Sequence, residues 1–163
     1  MAVRRIRLWG DPVLRTPAEP VTDFGGDLDR LVQDLLDTVD APGRAGLAAT
    51  QIGVSLRAFS FNVEGRLGYV VNPRLAVSDE EQDGDEGCLS IPGVWFPTTR
   101  AARAVVHGVD RRGDAVSVEG TGLLARCLQH ETDHLDGMLF VERLPGEQRK
   151  EALRAIRTAQ IGT

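Results

Sequence analysis

No stretch of this 163-residue sequence approaches the ~18 uninterrupted apolar residues of a membrane-spanning helix. A targeting leader is not readable either. Arg4, Arg5 and Arg7 sit among Val3, Ile6 and Leu8 and run at once into the turn Gly10-Asp11-Pro12, so the start is expected to be an edge strand or arm. Cysteine is scarce: Cys88 and Cys127 allow one disulfide at most, which excludes a disulfide-stapled scaffold. Both are expected as thiols, in a reducing cytoplasm. Positive charge is in deficit, with 19 Lys and Arg against 24 Asp and Glu and a formal net charge of -5. That balance leaves no nucleic-acid footprint. Repeats, linkers and low-complexity segments are missing, and the length suffices to bury a core, so one domain is expected over residues 1–163.

What is present reads as alternating helical and strand signals. Val13, Leu14 and Arg15, bracketed by Asp11-Pro12 and Glu19-Pro20, fit one helical turn. Apolar residues at Leu28, Leu31, Val32, Leu35, Leu36 and Val39 make a helical stripe over 27–39, which Ala41-Pro42-Gly43 ends. Residues 45–54 are small and apolar, with Gln51 the one polar side chain of consequence. Strands are predicted over 56–63 and 67–77, the second broken at Asn72-Pro73. A polar, acidic loop over 78–86 leads to a Gly-bounded turn around Cys88. Strands over 104–109 and 115–119, joined by Asp110-Arg111-Arg112-Gly113, predict a hairpin. A second helix over roughly 122–136 is apolar on several faces, as a buried central helix would be. Pro145 opens a last helix with Leu153 and Ile156 on one side and charges on the other. The fold class expected is α+β.

Within the second helix lies His130-Glu131-Thr132-Asp133-His134. Residues four apart on a helix share a face, so the two histidines can grip one divalent ion. Glu131 is turned about 100° around the axis, which sets a carboxylate beside that ion as a base for activated water. A solvated helix face would be the alternative. In a buried helix, however, two imidazoles and a carboxylate each carry a desolvation cost that a metal relieves. A catalytic ion commonly takes three protein ligands. No His follows His134, the downstream Glu residues fall in the charged last helix, and His107 reads as a packed or surface strand residue. Cys88 is the better third candidate, with burial as a small hydrophobe its alternative. Cys127, one turn before His130, could also face the ion but would crowd the same helix face. A small HExxH metallopeptidase and a structural zinc module are the rival classes. The first lacks its downstream ligand, and the second would need paired cysteines.

Three segments, in order, resemble the motifs of peptide deformylases: Gly46-Leu47-Ala48-Ala49-Thr50-Gln51, Glu86-Gly87-Cys88-Leu89-Ser90, and Gln129-His130-Glu131-Thr132-Asp133-His134-Leu135-Asp136-Gly137. The opening Gly10-Asp11-Pro12-Val13-Leu14-Arg15 is similar too, and the lead-in to His130 looks like actinobacterial members. The resemblance implies antiparallel or mixed sheets packed around the central helix, with helices near both ends. It also implies hydrolysis of the N-formyl group from formylmethionyl nascent polypeptides. Cys88, His130 and His134 would hold the metal, usually Fe(II), with zinc, nickel or cobalt able to replace it. Glu131 would shuttle the proton, while the Gln51 amide and the Leu89 backbone N–H would bind the oxyanion. Gly46 would pair with the extended peptide, and Ala45, Gly87, Leu123 and Cys127 would line the substrate site. The nascent chain makes transient ribosome contact an expectation, with Arg149, Lys150, Arg154 and Arg157 the candidate surface. Two positions depart from the family pattern. Arg44-Ala45 stand where a glycine and a larger aliphatic residue are usual, and Arg126 takes an often aliphatic place near the methionine pocket. Either arginine could lay its stem over the rim with its head in water, which leaves pocket width and side-chain preference open.

Overall fold

The computed structural model describes residues 2–161; Met1, Gly162 and Thr163, which the single-domain expectation also spans, lie outside the described residues. The apolar stripe forms helix α1 (Gly26–Val39), with Asp27 and Asp29 in its first turn, where negative charge suits the helix dipole. Strands β1 (Gly46–Ala48), β2 (Ala58–Val63), β3 (Arg66–Val77), β8 (Arg103–Val109) and β9 (Ala115–Thr121) pair in the order β1-β2-β3-β8-β9. Every ladder in that five-stranded sheet is antiparallel.

Alternation along β2 decides what each face of the sheet covers. Phe59, Phe61 and Val63 point into one apolar cluster with Ala125, Leu128 and Leu135 of helix α2 (Gly122–Leu135). Ala58 joins the opposite cluster with Leu28, Leu31, Val32 and Leu35 of α1. Ser60, on the same side as Ala58, donates its hydroxyl to the Leu35 carbonyl at 2.9 Å. The sheet therefore lies between α1 and α2.

The Asn72-Pro73 break is a bulge. Register shifts between Val71 and Arg74, and Asn72 takes a left-handed φ of 52°. The Asn72 side chain then pairs with the backbone of Val21, accepting from its N–H at 2.8 Å and donating to its carbonyl at 3.0 Å. The predicted hairpin is β8–β9, its turn held by Asp110, whose carboxylate accepts from the N–H groups of Arg112 and Asp114.

One expectation needs correction. The acidic loop expected over 78–86 and the turn around Cys88 hold strands β4 (Glu81–Gln82) and β5 (Asp85–Cys88), followed by β6 (Ile91–Pro97). β4 pairs with β7 (Arg100–Ala101), and β5 pairs with β6. Acidic residues and glycine hid strands that non-local partners stabilise. The small, apolar residues 45–54 form β1 followed by a short 3₁₀ turn, Ala49–Ile52. The N-terminal segment settles as an arm and not as a strand, with the Arg4 N–H on the Thr38 hydroxyl and the Arg7 N–H on the Gln51 carbonyl.

Helix α3 (Gly146–Ile161) packs Ala152 and Ile156 onto a third cluster that includes Ile91, Val94, Leu139 and Phe140. Among the described residues no helix is long and apolar enough to cross a membrane.

Candidate metal centre

Every residue of α2 from Ala125 to Leu135 is buried: the sheet covers one side, while Glu86 and Cys88 of β5 and Phe140 and Arg143 of the 139–144 segment reach its polar side chains. His134 has no exposed surface at all, and His130 is 8% exposed. One turn apart on this helix, their Nε2 atoms lie 3.1 Å from each other. Cys88, at the end of β5, brings its Sγ to 3.3 Å from His134 Nε2. All three ligand-capable atoms fall within 4.8 Å of one another.

That spacing fits an ion. Metal–nitrogen bonds of about 2.0–2.1 Å and metal–sulfur bonds of about 2.3 Å, opened to a tetrahedral angle, set ligand atoms roughly 3.3–3.6 Å apart. The donor set, one thiolate and two imidazoles, suits Zn(II) and Fe(II). At 3.1 Å the two Nε2 atoms cannot both carry a proton, so at least one lone pair is turned toward the place an ion would take. Burial and the charge of His130 push His134 well below its ordinary range. Burial also opposes the charged form of His130, but Glu131, Cys88 and Glu86 outweigh it and raise that group. A divalent ion between the rings would displace that proton.

The His130 ring is held from behind. Its Nδ1 lies 2.7 Å from Glu86 Oε2, and Phe140 stacks on the ring at 6.2 Å between centroids. Glu86 is held in turn by a fork from Arg100, Nε to Oε1 at 2.9 Å and Nη2 to Oε2 at 2.5 Å. Arg100 Nη1 then reaches Asp133 at 2.7 Å, and Arg143 closes on the same carboxylate with two bonds. Burial alone would raise the Glu86 carboxyl; hydrogen bonds from Arg100 and His130 hold it well below the usual carboxylate range.

Beside the ligands, Glu131 Oε2 lies 4.0 Å from His130 Nε2, while Oε1 is buried with no hydrogen-bond partner among the described residues. Burial pushes this carboxyl up to about 7, partly offset by the charge of His130. Glu131 fits because residue 46 is glycine: a Cβ there would stand 2.5 Å from Oε2 and 2.7 Å from Cys127 Sγ. On the other side, Gln51 is locked by three contacts. Its Oε1 accepts from the Ala48 N–H at 2.9 Å, and its Nε2 donates to Ser90 Oγ at 3.0 Å and lies 3.7 Å from Cys88 Sγ.

These groups open into a cleft of about 520 Å³, a size that suits a small ligand or peptide end. Ala45, Gly46, Gly87, Leu89, Leu123 and Cys127 all line it together with Cys88, His130 and Glu131; Gln51 and His134 stand behind that wall. Trp95 lies over Gly87 so closely that a Cβ at 87 would meet its ring at 2.7 Å. Cys127 is no third ligand: its thiol donates to the Ala45 carbonyl at 3.3 Å. His107 is remote, with its Nδ1 on Ser117 Oγ at 2.7 Å in β8.

The rim placement fails for Arg126, while Arg44 is half-buried at the cleft edge. Arg126 does not keep its head in water; it is 7% exposed, and its Nη1 donates to Glu86 Oε1 at 2.9 Å and to the Thr98 carbonyl at 2.7 Å. Arg44 folds back onto the end of α1, where its Nη1 meets the Thr38 carbonyl at 2.5 Å. Both found acceptors that only the folded chain supplies. Sequence reasoning also passed over Glu86, Ser90 and Asp133 as partners. Their signal was their place inside the motifs that carry Cys88 and His134; Arg100 offers no local signal.

A buried Cys–His–His set with a glutamate alongside, at the floor of a cleft in an α+β frame, defines the donor arrangement of a mononuclear metallohydrolase. Residues 3–150 match the family profile described as polypeptide deformylase. A peptide deformylase of Acidothermus cellulolyticus is 63% identical over 161 residues, covering 98% of this chain and 89% of that protein. The crystal structure of a peptide deformylase from Legionella pneumophila superposes with a TM-score of 0.89 at 40% identity, covering 98% of this chain and 96% of that one. The peptide deformylase structure from Thermus thermophilus gives 0.89 at 44% identity, covering 96% and 95%. The chain belongs to the peptide deformylase family.

Proposed function

We propose that this protein removes the N-formyl group from formylmethionyl nascent polypeptides, with Cys88, His130 and His134 holding one divalent ion. The observation that carries this reading is the convergence of those three ligand atoms beside Glu131, whose buried Oε1 has no partner among the described residues, at the floor of the cleft. When bound, the ion supplies Lewis-acid polarisation of the formyl carbonyl and makes water at the site more acidic.

The protein's own groups carry the rest. Glu131, raised to about 7, accepts a proton from the attacking water and delivers it to the amine nitrogen as the formyl C–N bond breaks; formate and a free N-terminus result. The Gln51 Nε2 and the Leu89 backbone N–H stabilise the oxygen that gains negative charge. Ala48 and Ser90 fix both ends of the Gln51 amide, and the Nε2 proton not given to Ser90 is the one proposed for this contact. Gly46 lets the extended peptide approach along β1, and Ala45, Gly87, Leu123 and Cys127 wall the first side chain.

Fe(II) is the proposed physiological ion, with Zn(II), Ni(II) or Co(II) able to replace it. The exposed basic face of α3, with Arg149, Lys150, Arg154 and Arg157, is the proposed surface for transient ribosome contact. Contacts of α2 with the sheet and of α3 with β6 support one deformylase domain spanning the chain. The deciding experiment is anaerobic purification with elemental analysis and assay of formyl-Met peptides against unblocked peptides on one sample. Stoichiometric metal with deformylation is expected; cleavage of internal bonds without deformylation would overturn the reading in favour of a small HExxH metallopeptidase.

A further inference from the structure

The cleft wall carries a buried cation that the deformylation chemistry does not use. Arg126 lies on α2 four residues before His130, so the two side chains share a helix face. Burying a guanidinium costs desolvation that an aliphatic wall residue would avoid. Its Nη2 has no acceptor among the described residues, so the guanidinium is only partly satisfied where it lies. What the placement does provide is a donor to Glu86 Oε1, at 2.9 Å.

A carboxylate offers about four acceptor positions. In Glu86 all are taken: Oε1 by Arg100 Nε and Arg126 Nη1, Oε2 by Arg100 Nη2 and His130 Nδ1. The same Arg126 nitrogen is pinned to the Thr98 carbonyl at 2.7 Å, which ties the carboxylate to the segment after β6. We infer that Arg126 is a positioning residue for the metal ligand His130, acting through Glu86: it completes the clamp that keeps Oε2 aimed at His130 Nδ1. The inference rests on Cys88, His130 and His134 being a metal site. Partners that orient a ligand histidine typically change metal affinity by roughly 10–100-fold.

The test uses the zinc-loaded full chain, with affinity measured by chelator competition and the His130 Nδ1 proton followed by ¹H–¹⁵N NMR. Arg126→Met keeps the stem and removes the donors; Arg126→Lys keeps the charge and one point donor. Arg126→Met is expected to bind zinc roughly 10–100-fold more weakly and to shift or lose the Nδ1 proton signal. Arg126→Lys is expected to recover part of both. A folded Arg126→Met protein with affinity within about twofold of the parent, or tighter, and an unmoved proton signal overturns the inference. If Arg126→Met fails to fold, Arg126→Lys decides alone: parental affinity with an unmoved signal overturns the inference, and loss of either supports it. A parent chain that binds no zinc overturns the metal site itself, which separates the two failures.

Discussion

Gly46 and Glu131 stand so close that no larger residue fits between them: a Cβ on residue 46 would lie 2.5 Å from the Glu131 carboxylate. One comes from the edge strand β1 and the other from the core helix α2, so the missing side chain on one element sets the carboxylate's position on the other. Gly46→Ala is expected to keep the fold, since the strand backbone tolerates alanine, and to displace Glu131 and Cys127. Misplacing a reacting group by about 1 Å costs on the order of 10²-fold. kcat/KM for a formyl-Met peptide should fall by about that factor, with a stability loss of about 1–3 kcal/mol from overpacking, and parental activity would contradict the assigned base.

Glu131→Gln removes the proton carrier while leaving the three ligands. Metal content is expected to stay stoichiometric, and kcat to drop by roughly 10²–10⁴-fold, the usual contribution of a positioned acid or base. Elemental analysis and kinetics on one preparation check both halves.

Cys88→Ser exchanges a soft donor for a hard one at the end of β5. Metal retention after dialysis is expected to fall sharply with the circular dichroism spectrum preserved. If the native ion is iron, the parent should also lose activity in air, through oxidation of the iron or of the Cys88 thiolate, and should hold it under nitrogen. Full activity after days in air would argue for another metal.

Glu86 sets an acid limit on stability. Its carboxyl is held well below the ordinary value of about 4.3, so the stability its charge supplies is complete above that range and is withdrawn as pH falls beneath it. Denaturant midpoints of the parent should therefore decline below about pH 4. Glu86→Gln, which leaves Arg100 and Arg126 short of a buried partner, should be less stable at neutral pH by about 3–5 kcal/mol and flatter toward acid. An equal acid slope in parent and variant would assign the loss to other carboxylates.

What could be read from the residues alone followed the range of the interaction. Leu28 through Val39 announced α1 because their partners recur every turn, and His130 with His134 announced a ligand pair for the same reason. β5 and β6 were hidden, since Asp85, Glu86 and Gly87 look like loop until Trp95 lies over Gly87 from the paired strand. Arg126 was misread for a related cause. A charged residue beside an apolar pocket suggests a head in water unless a buried carboxylate, 40 residues distant in sequence, is known to be waiting. The third ligand lay between these cases: the motif resemblance indicated Cys88, while its 3.3 Å approach to His134 needed the folded hairpin.

The helix that presents both histidines is also the one that fills the centre of the apolar cluster beneath the sheet. Cys88 reaches those histidines from the end of β5, so an ion there would tie the β5–β6 hairpin to that helix. An ion held there binds the folded interior and not the unfolded chain, so an occupied centre acts as a thermodynamic rivet: as free metal rises above its dissociation constant, Tm climbs with the logarithm of its concentration.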